Sequence, residues 1–153
     1  AEAGVPVVLM HMRGTPRDMR DRATYGDVVG EVRAELEAAM ARAETAGVLR
    51  ERILLDPGIG FAKTSEQSTE VLARLPEFLS LGRPLFVGPS RKSFIGAITG
   101  APPEERLAGT LAAVTAAVLG GATFLRVHDV AASRQAARVA TALRVSGGSG
   151  ANA

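Results

Sequence analysis

At 153 residues, 46% of them apolar and 4% aromatic, the chain has the length of one ordinary domain, with a core to be built from Leu, Val, Ile and Ala. The absence of cysteine excludes a disulfide scaffold and a thiolate metal site, and it fits a cytoplasmic protein. A net charge of +2 without a basic block, and few aromatics for base stacking, argue against a nucleic-acid partner; no apolar run approaches the ~18 residues of a membrane span, so no membrane partner is expected.

Val5 to Met10 reads as a strand that ends in the polar loop His11-Met12-Arg13-Gly14-Thr15-Pro16. A helix is expected over Asp27–Ala46. Val28, Val32, Leu36, Ala39, Met40 and Ala43 recur at three- and four-residue steps, while Glu31, Arg33, Glu35 and Glu37 fill the other face. Asp27 suits its N-cap and Gly47 the position after its end. Ile53-Leu54-Leu55 is a second strand, closed by Asp56-Pro57-Gly58. Ser65 is placed to cap the next helix, whose stripe is Val71, Leu72, Leu75, Phe78 and Leu79; Pro76 within it predicts a kink or two short helices.

The chain is organised around Pro84–Gly96, PLFVGPSRKSFIG. Leu85, Phe86 and Val87 suit a strand buried on both faces, and a Gly-Pro turn then delivers Ser90, Arg91, Lys92 and Ser93 at its carboxyl end. A helix starting at Pro102-Pro103-Glu104-Glu105 buries Leu107, Leu111, Val114 and Val118, and its many alanines permit close helix or subunit contact. Thr123 to Val127 is a fourth strand, leading to His128 and Asp129. A last helix uses Ala132, Ala136, Val139, Ala140 and Leu143, and residues 146–153 are expected to form a flexible tail after a domain spanning 1–145.

The order β-α-β-α-β-α-β-α means parallel strands joined by right-handed crossovers. With no G-x-G-x-x-G and no Walker loop, four units of a (β/α)₈ barrel fit better than a nucleotide-binding open sheet. His11, Asp56, the Ser90–Ser93 cluster, Arg126 and His128 then share one rim, which suits a polar heterocycle attached to a phosphate. A carboxylate such as Asp56 matches the paired N–H groups of an amino-pyrimidine edge, and Arg126 can clamp a phosphate oxygen. Each has a plainer reading: Asp before Pro-Gly as a turn former, Arg126 as the partner of a neighbouring carboxylate, Arg91 and Lys92 as a solvated loop. His11 and His128 lack the close spacing of a metal-ligand pair.

Five segments carry a resemblance: LMHMRGTP (Leu9–Pro16), LLDPGIGF (Leu54–Phe61), VGPSRKSFIG (Val87–Gly96), RLAGT (Arg106–Thr110) and LRVHDV (Leu125–Val130). In this order they resemble the C-terminal half of the dihydropteroate synthase family, pterin-binding barrels of folate biosynthesis and the target of sulfonamides. The resemblance runs from about Val5 to Leu143, and Ser-Arg-Lys-Ser separates the family from pterin methyltransferases.

The resemblance implies condensation of a pterin pyrophosphate with p-aminobenzoate through an SN1-like loss of pyrophosphate. Asp56 would hold the pterin's amino-pyrimidine edge, with Met10 and Phe61 packed near it. Lys92 would contact the pterin and line the path of p-aminobenzoate, whose carboxylate Ser93 would bind. Arg126 and His128 would hold the pyrophosphate, which with Lys92 gives the expected catalytic set. Ala62 and Gln67-Ser68 depart from the family's Gly and His-Asn pair.

The resemblance further implies Mg²⁺, on an Asn that this sequence does not contain, and a homodimer through the last helices. It also expects four more strands and the Asn-x-Thr-Pro-Asp-Ser-Phe loop, so a partial chain with an incomplete site is expected. The competing reading is a non-catalytic pterin- or phosphate-binding paralogue or fragment acting as an interaction module.

Overall fold

The computed structural model describes residues 1–148. Four short strands, β1 (Val7–Met10), β2 (Ile53–Asp56), β3 (Leu85–Val87) and β4 (Ala122–Leu125), form one parallel sheet in the order β1-β2-β3-β4. Helices connect them: α1 (Val28–Thr45), α2 (Ser65–Ala73), α3 (Ser93–Thr99) and α4 (Leu107–Leu119), with α5 (Val130–Gly148) following β4. Each strand hands over to a helix before its parallel neighbour, as the alternating pattern requires.

Period-two alternation decides which strand residues see the helices. Ile53, Leu55, Leu85 and Val87 are fully buried and pack with Val29, Val32 and Leu36 of α1, Val71 of α2 and Phe78 in a single core. Their alternates face the other way. Val8, Met10 and Phe124 stay 40–47% exposed on the sheet's second face, where Phe86 and Phe124 stack at 6.5 Å.

Local chemistry sets the helix ends. Asp27 occupies the N-cap of α1, and Gly47 (φ +88°) lets the chain reverse so that the Val48 N–H reaches the Ala43 carbonyl at 3.0 Å. At α2 the cap is Thr64 rather than Ser65. Thr64 Oγ1 accepts from the Gln67 N–H and Gln67 Oε1 from the Thr64 N–H, a reciprocal capping box. The expected break at Pro76 is present: α2 stops at Ala73, and Leu75–Leu81 forms a separate 3₁₀ segment.

Further expectations need correction, among them Leu79 and Leu107, assigned to buried stripes but 46% and 39% exposed. α3 has no counterpart in the sequence reading, because its seven residues are too few for a periodic signal. Val139 and Leu143, assigned to a buried stripe, are about 60% exposed, since α5 meets α4 through small residues such as Ser133 and Ala140. The helix also continues through 146–148 where a tail was expected; the rest of that tail, residues 149–153, lies outside the described residues.

Candidate functional site at the carboxyl rim of the sheet

The register aligns Met10 with Asp56 at the ends of β1 and β2. Arg126 follows Phe124 by two residues, so alternation places it on the same open face, one step past the end of β4. Its N–H donates to the Val87 carbonyl at 3.0 Å, extending the ladder to that residue. Gly88, two residues after Phe86, leaves this layer open between Asp56 and Arg126; a Cβ there would sit 3.8 Å from the Arg126 Cβ. Three sequence-predicted residues thus share one layer.

Asp56 is 7% exposed and accepts from the Gly58 N–H at 2.8 Å. Burial pushes its carboxyl up, opposed by that N–H and by the positive field of Lys92, Lys63 and Arg126. Lys92 projects its Nζ over the Phe61 ring, 3.9 Å from the centroid, and burial lowers its ammonium while Asp56 supports it. Gly60 (φ +76°) makes this approach possible, because a Cβ there would lie 3.2 Å from Lys92 Cδ.

The loop that carries Phe61 is tied down from beneath. Lys63 Nζ donates to the carbonyls of Phe61 (3.1 Å) and Gly58 (3.2 Å) and meets His11 Nδ1 at 2.9 Å. His11 Nε2 lies 2.9 Å from Glu35 Oε2, and Glu35 and Glu31 are both paired with Arg13. Tyr25, under the Arg13 guanidinium, donates to the Ala62 carbonyl at 2.8 Å. Burial, aided by Lys63, lowers His11 to about 4. The neutral ring then donates from Nε2 to Glu35 and accepts at Nδ1 from Lys63. Burial works against the Glu35 carboxylate, yet Arg13 and His11 hold it below its ordinary value.

The departures Gln67 and Ser68 serve the same loop. Ser68 is buried, donates to the Thr64 carbonyl at 2.7 Å and receives the Gly60 N–H at 3.2 Å. Gln67 Nε2 reaches the Ala23 carbonyl at 3.2 Å. Ala62 occupies a buried left-handed position (φ +47°), the conformation that favours the family's glycine.

The β3–α3 loop and the residues after β4 line a cleft of about 450 Å³ that includes Ser90, Lys92, Arg126 and His128. Arg91, itself left-handed (φ +57°), grips Asp129 with two nitrogens at 2.9–3.2 Å. Thr110 Oγ1 accepts from the Arg91 N–H at 3.0 Å, and Arg106 donates to the Arg91 carbonyl at 3.1 Å. Ser90 Oγ lies 2.9 Å from His128 Nδ1. Ser93 opens α3 and is exposed. The plain reading of Arg126 as half of a carboxylate pair fails among the described salt bridges, whereas Arg91 does form one.

The residues that the sequence did not single out are those that hold others, Lys63, Tyr25 and Glu35, while Ser90 stood in the predicted rim cluster and Arg106 and Thr110 only in a motif, with no partner assigned. Glu35 read as a solvated helix face and Lys63 as a loop cation. Only the pairing of distant segments gives them partners.

A parallel α/β sheet with a charged rim at its carboxyl ends, a buried carboxylate and an open cationic cleft defines a ligand-binding unit of the barrel type. The chain belongs to the pterin binding enzyme family, which matches residues 1–128. It is similar to the C-terminal half of dihydropteroate synthase. The Synechocystis dihydropteroate synthase is 52% identical over 144 residues, covering 94% of this chain and 50% of that protein. The Escherichia coli K12 protein of the same name is 46% identical over 142 residues, covering 93% and 50%.

Among solved structures, Yersinia pestis dihydropteroate synthase with a sulfonamide drug superposes with a TM-score of 0.92 at 36% identity, over 95% of this chain and 53% of that one. The Thermus thermophilus enzyme gives 0.87 at 47% identity, over 94% and 57%. The chain therefore spans about half the length of these relatives, and its four β/α units are four of the eight of their barrel.

Proposed function

We propose that this chain supplies the C-terminal share of a dihydropteroate synthase site, which condenses 6-hydroxymethyl-7,8-dihydropterin pyrophosphate with p-aminobenzoate and releases pyrophosphate. The observation that carries the reading is Asp56: a buried carboxylate at a strand end, on the open face, with Lys92 over Phe61 beside it. Asp56 would receive the paired N–H groups of the amino-pyrimidine, and Phe61 and Met10 would flank the ring. Lys92 would contact the pterin from the p-aminobenzoate side, and Ser93 would bind the p-aminobenzoate carboxylate.

Arg126 and His128 would meet the pyrophosphate in the cleft, where fixed positive charge stabilises the departing anion more than the bound substrate. Family resemblance also suggests Mg²⁺, a hard cation that takes oxygen ligands. No group of three or more His, Asp or Glu that could hold a metal is gathered among the described residues, and Asp129 is engaged by Arg91. The described residues do not form that site. A homodimer would cover the exposed Val139 and Leu143 of α5, and the family resemblance suggests a cytoplasmic location.

The test combines this chain with the N-terminal half of the Synechocystis synthase and measures dihydropteroate formation with Mg²⁺ present. Turnover that Lys92→Ala abolishes is expected. A folded hybrid with no turnover, under conditions where the intact Synechocystis protein is active, overturns the reading.

A further inference from the structure

Lys63 stands out among the groups that the proposed chemistry does not use. Its ammonium has three protons and three acceptors in reach: the carbonyls of Gly58 and Phe61 and His11 Nδ1. The third can accept only if His11 carries its proton on Nε2, and Glu35 demands that tautomer, because a carboxylate beside Nε2 needs a donor. Glu35 is fixed in turn by Arg13. Every proton of Lys63 is therefore committed, leaving none for a substrate. The two carbonyls bracket the turn Gly58-Ile59-Gly60-Phe61, whose Phe61 N–H closes on the Gly58 carbonyl at 3.0 Å.

We propose that Lys63 is a positioning residue: clamped between His11 and the carbonyls at both ends of the turn, it fixes the Phe61 ring against Lys92 and the Gly58 N–H against Asp56. Its consequence for pterin binding rests on the function proposed above; the geometry does not. An unclamped turn would leave the Phe61 carbonyl without its Lys63 partner and the Gly58 carbonyl with the Phe61 N–H alone, and let the Phe61 ring leave Lys92. Burial lowers Lys63 to about 7, opposed by the negative charges of Asp56 and Glu35.

The test is solution NMR of the 153-residue chain, which involves no substrate and so can fail independently of the proposed reaction. In the wild type, His11 is expected as the Nε2–H tautomer; an Nδ1–H ring cannot accept from Lys63 and overturns the proposal. In Lys63→Met, the upfield ring-current shift of the Lys92 methylenes is expected to fall by more than half. Exchange of the Phe61 amide should rise about tenfold, with the Val29, Leu55 and Leu85 methyl signals unmoved. A folded Lys63→Met chain with the Lys92 shift intact overturns it equally. Should that variant fail to fold, the wild-type tautomer decides alone.

Discussion

Gly58 and Gly82 form a matched pair for testing how the Asp56 turn is built. Both are left-handed, at φ +70° and +67°. A Cβ on Gly82 meets nothing within 4 Å, whereas one on Gly58 would lie 2.0 Å from the His11 carbonyl oxygen and 3.1 Å from its carbon. That carbonyl belongs to a residue whose own N–H is held by Asp56 O at 2.9 Å, so it cannot swing away cheaply. The left-handed conformation costs an L-residue about 1–2 kcal/mol, offset by about 0.4–1 kcal/mol from the stiffer unfolded chain. Gly82→Ala should therefore destabilise by about 1 kcal/mol. Gly58→Ala adds an overpacking term of about 1–3 kcal/mol, for a total of about 2–4 kcal/mol. It should also loosen the N–H that Gly58 donates to Asp56. Urea denaturation of both variants beside the wild type measures the difference. Equal losses within about 0.5 kcal/mol, the ordinary scatter of a surface change, would refute the claim that the turn is wedged against His11.

Two further outcomes follow from the same loop. The folded chain holds His11 at about 4 against 6.5 when exposed, so it binds fewer protons than the unfolded chain between those values. The contribution of His11 to stability is full above pH 6.5 and is lost as pH falls toward 4, by at most about 3 kcal/mol, with Glu35 pulling the same way. His11→Asn should flatten this slope in urea titrations at stepped pH, and an unchanged slope would contradict the neutral buried ring. Thr64→Ala removes the Oγ1 that accepts the Gln67 N–H and should cost about 1 kcal/mol by thermal or urea unfolding; no loss would mean that the capping box is idle.

The architecture was legible because each strand is a short apolar run that ends in polar residues, and because Val28, Val32, Leu36 and Met40 keep helical step. Asp56 and Arg126 were legible as site candidates because a charge at the end of a core strand is conspicuous. Their shared layer was not, since it depends on the β1–β2 register and on where β4 stops. Ser65 read as the cap because serine suits that position, and only the reciprocal bonds between Thr64 and Gln67 place the cap one residue earlier. Glu35 repeats the lesson: on the helix it is one acid among several, and what it does depends on His11 and Arg13, more than twenty residues earlier. Nor could the sequence reveal that α5 leaves Val139 and Leu143 open, because an apolar stripe states a preference for burial and not its partner.

The anchors of the two rim loops all belong to these four β/α units. Lys63, Tyr25 and Ser68 hold the turn after β2; Thr110, Arg106 and Asp129 hold the one after β3. The arrangement of Asp56, Phe61 and Lys92 is thus set by bonds internal to the described residues. The sheet's open face is organised differently. Val8, Met10 and Phe124 are half-exposed, and β1 and β4 each pair on one side only. Burying such apolar area is worth about 25 cal/mol per Å², so whatever covers this face adds stability without having to shape the loops. Changes at the anchors should therefore disturb site geometry even in the chain by itself. Changes at Phe124 should act chiefly through the surface that meets it.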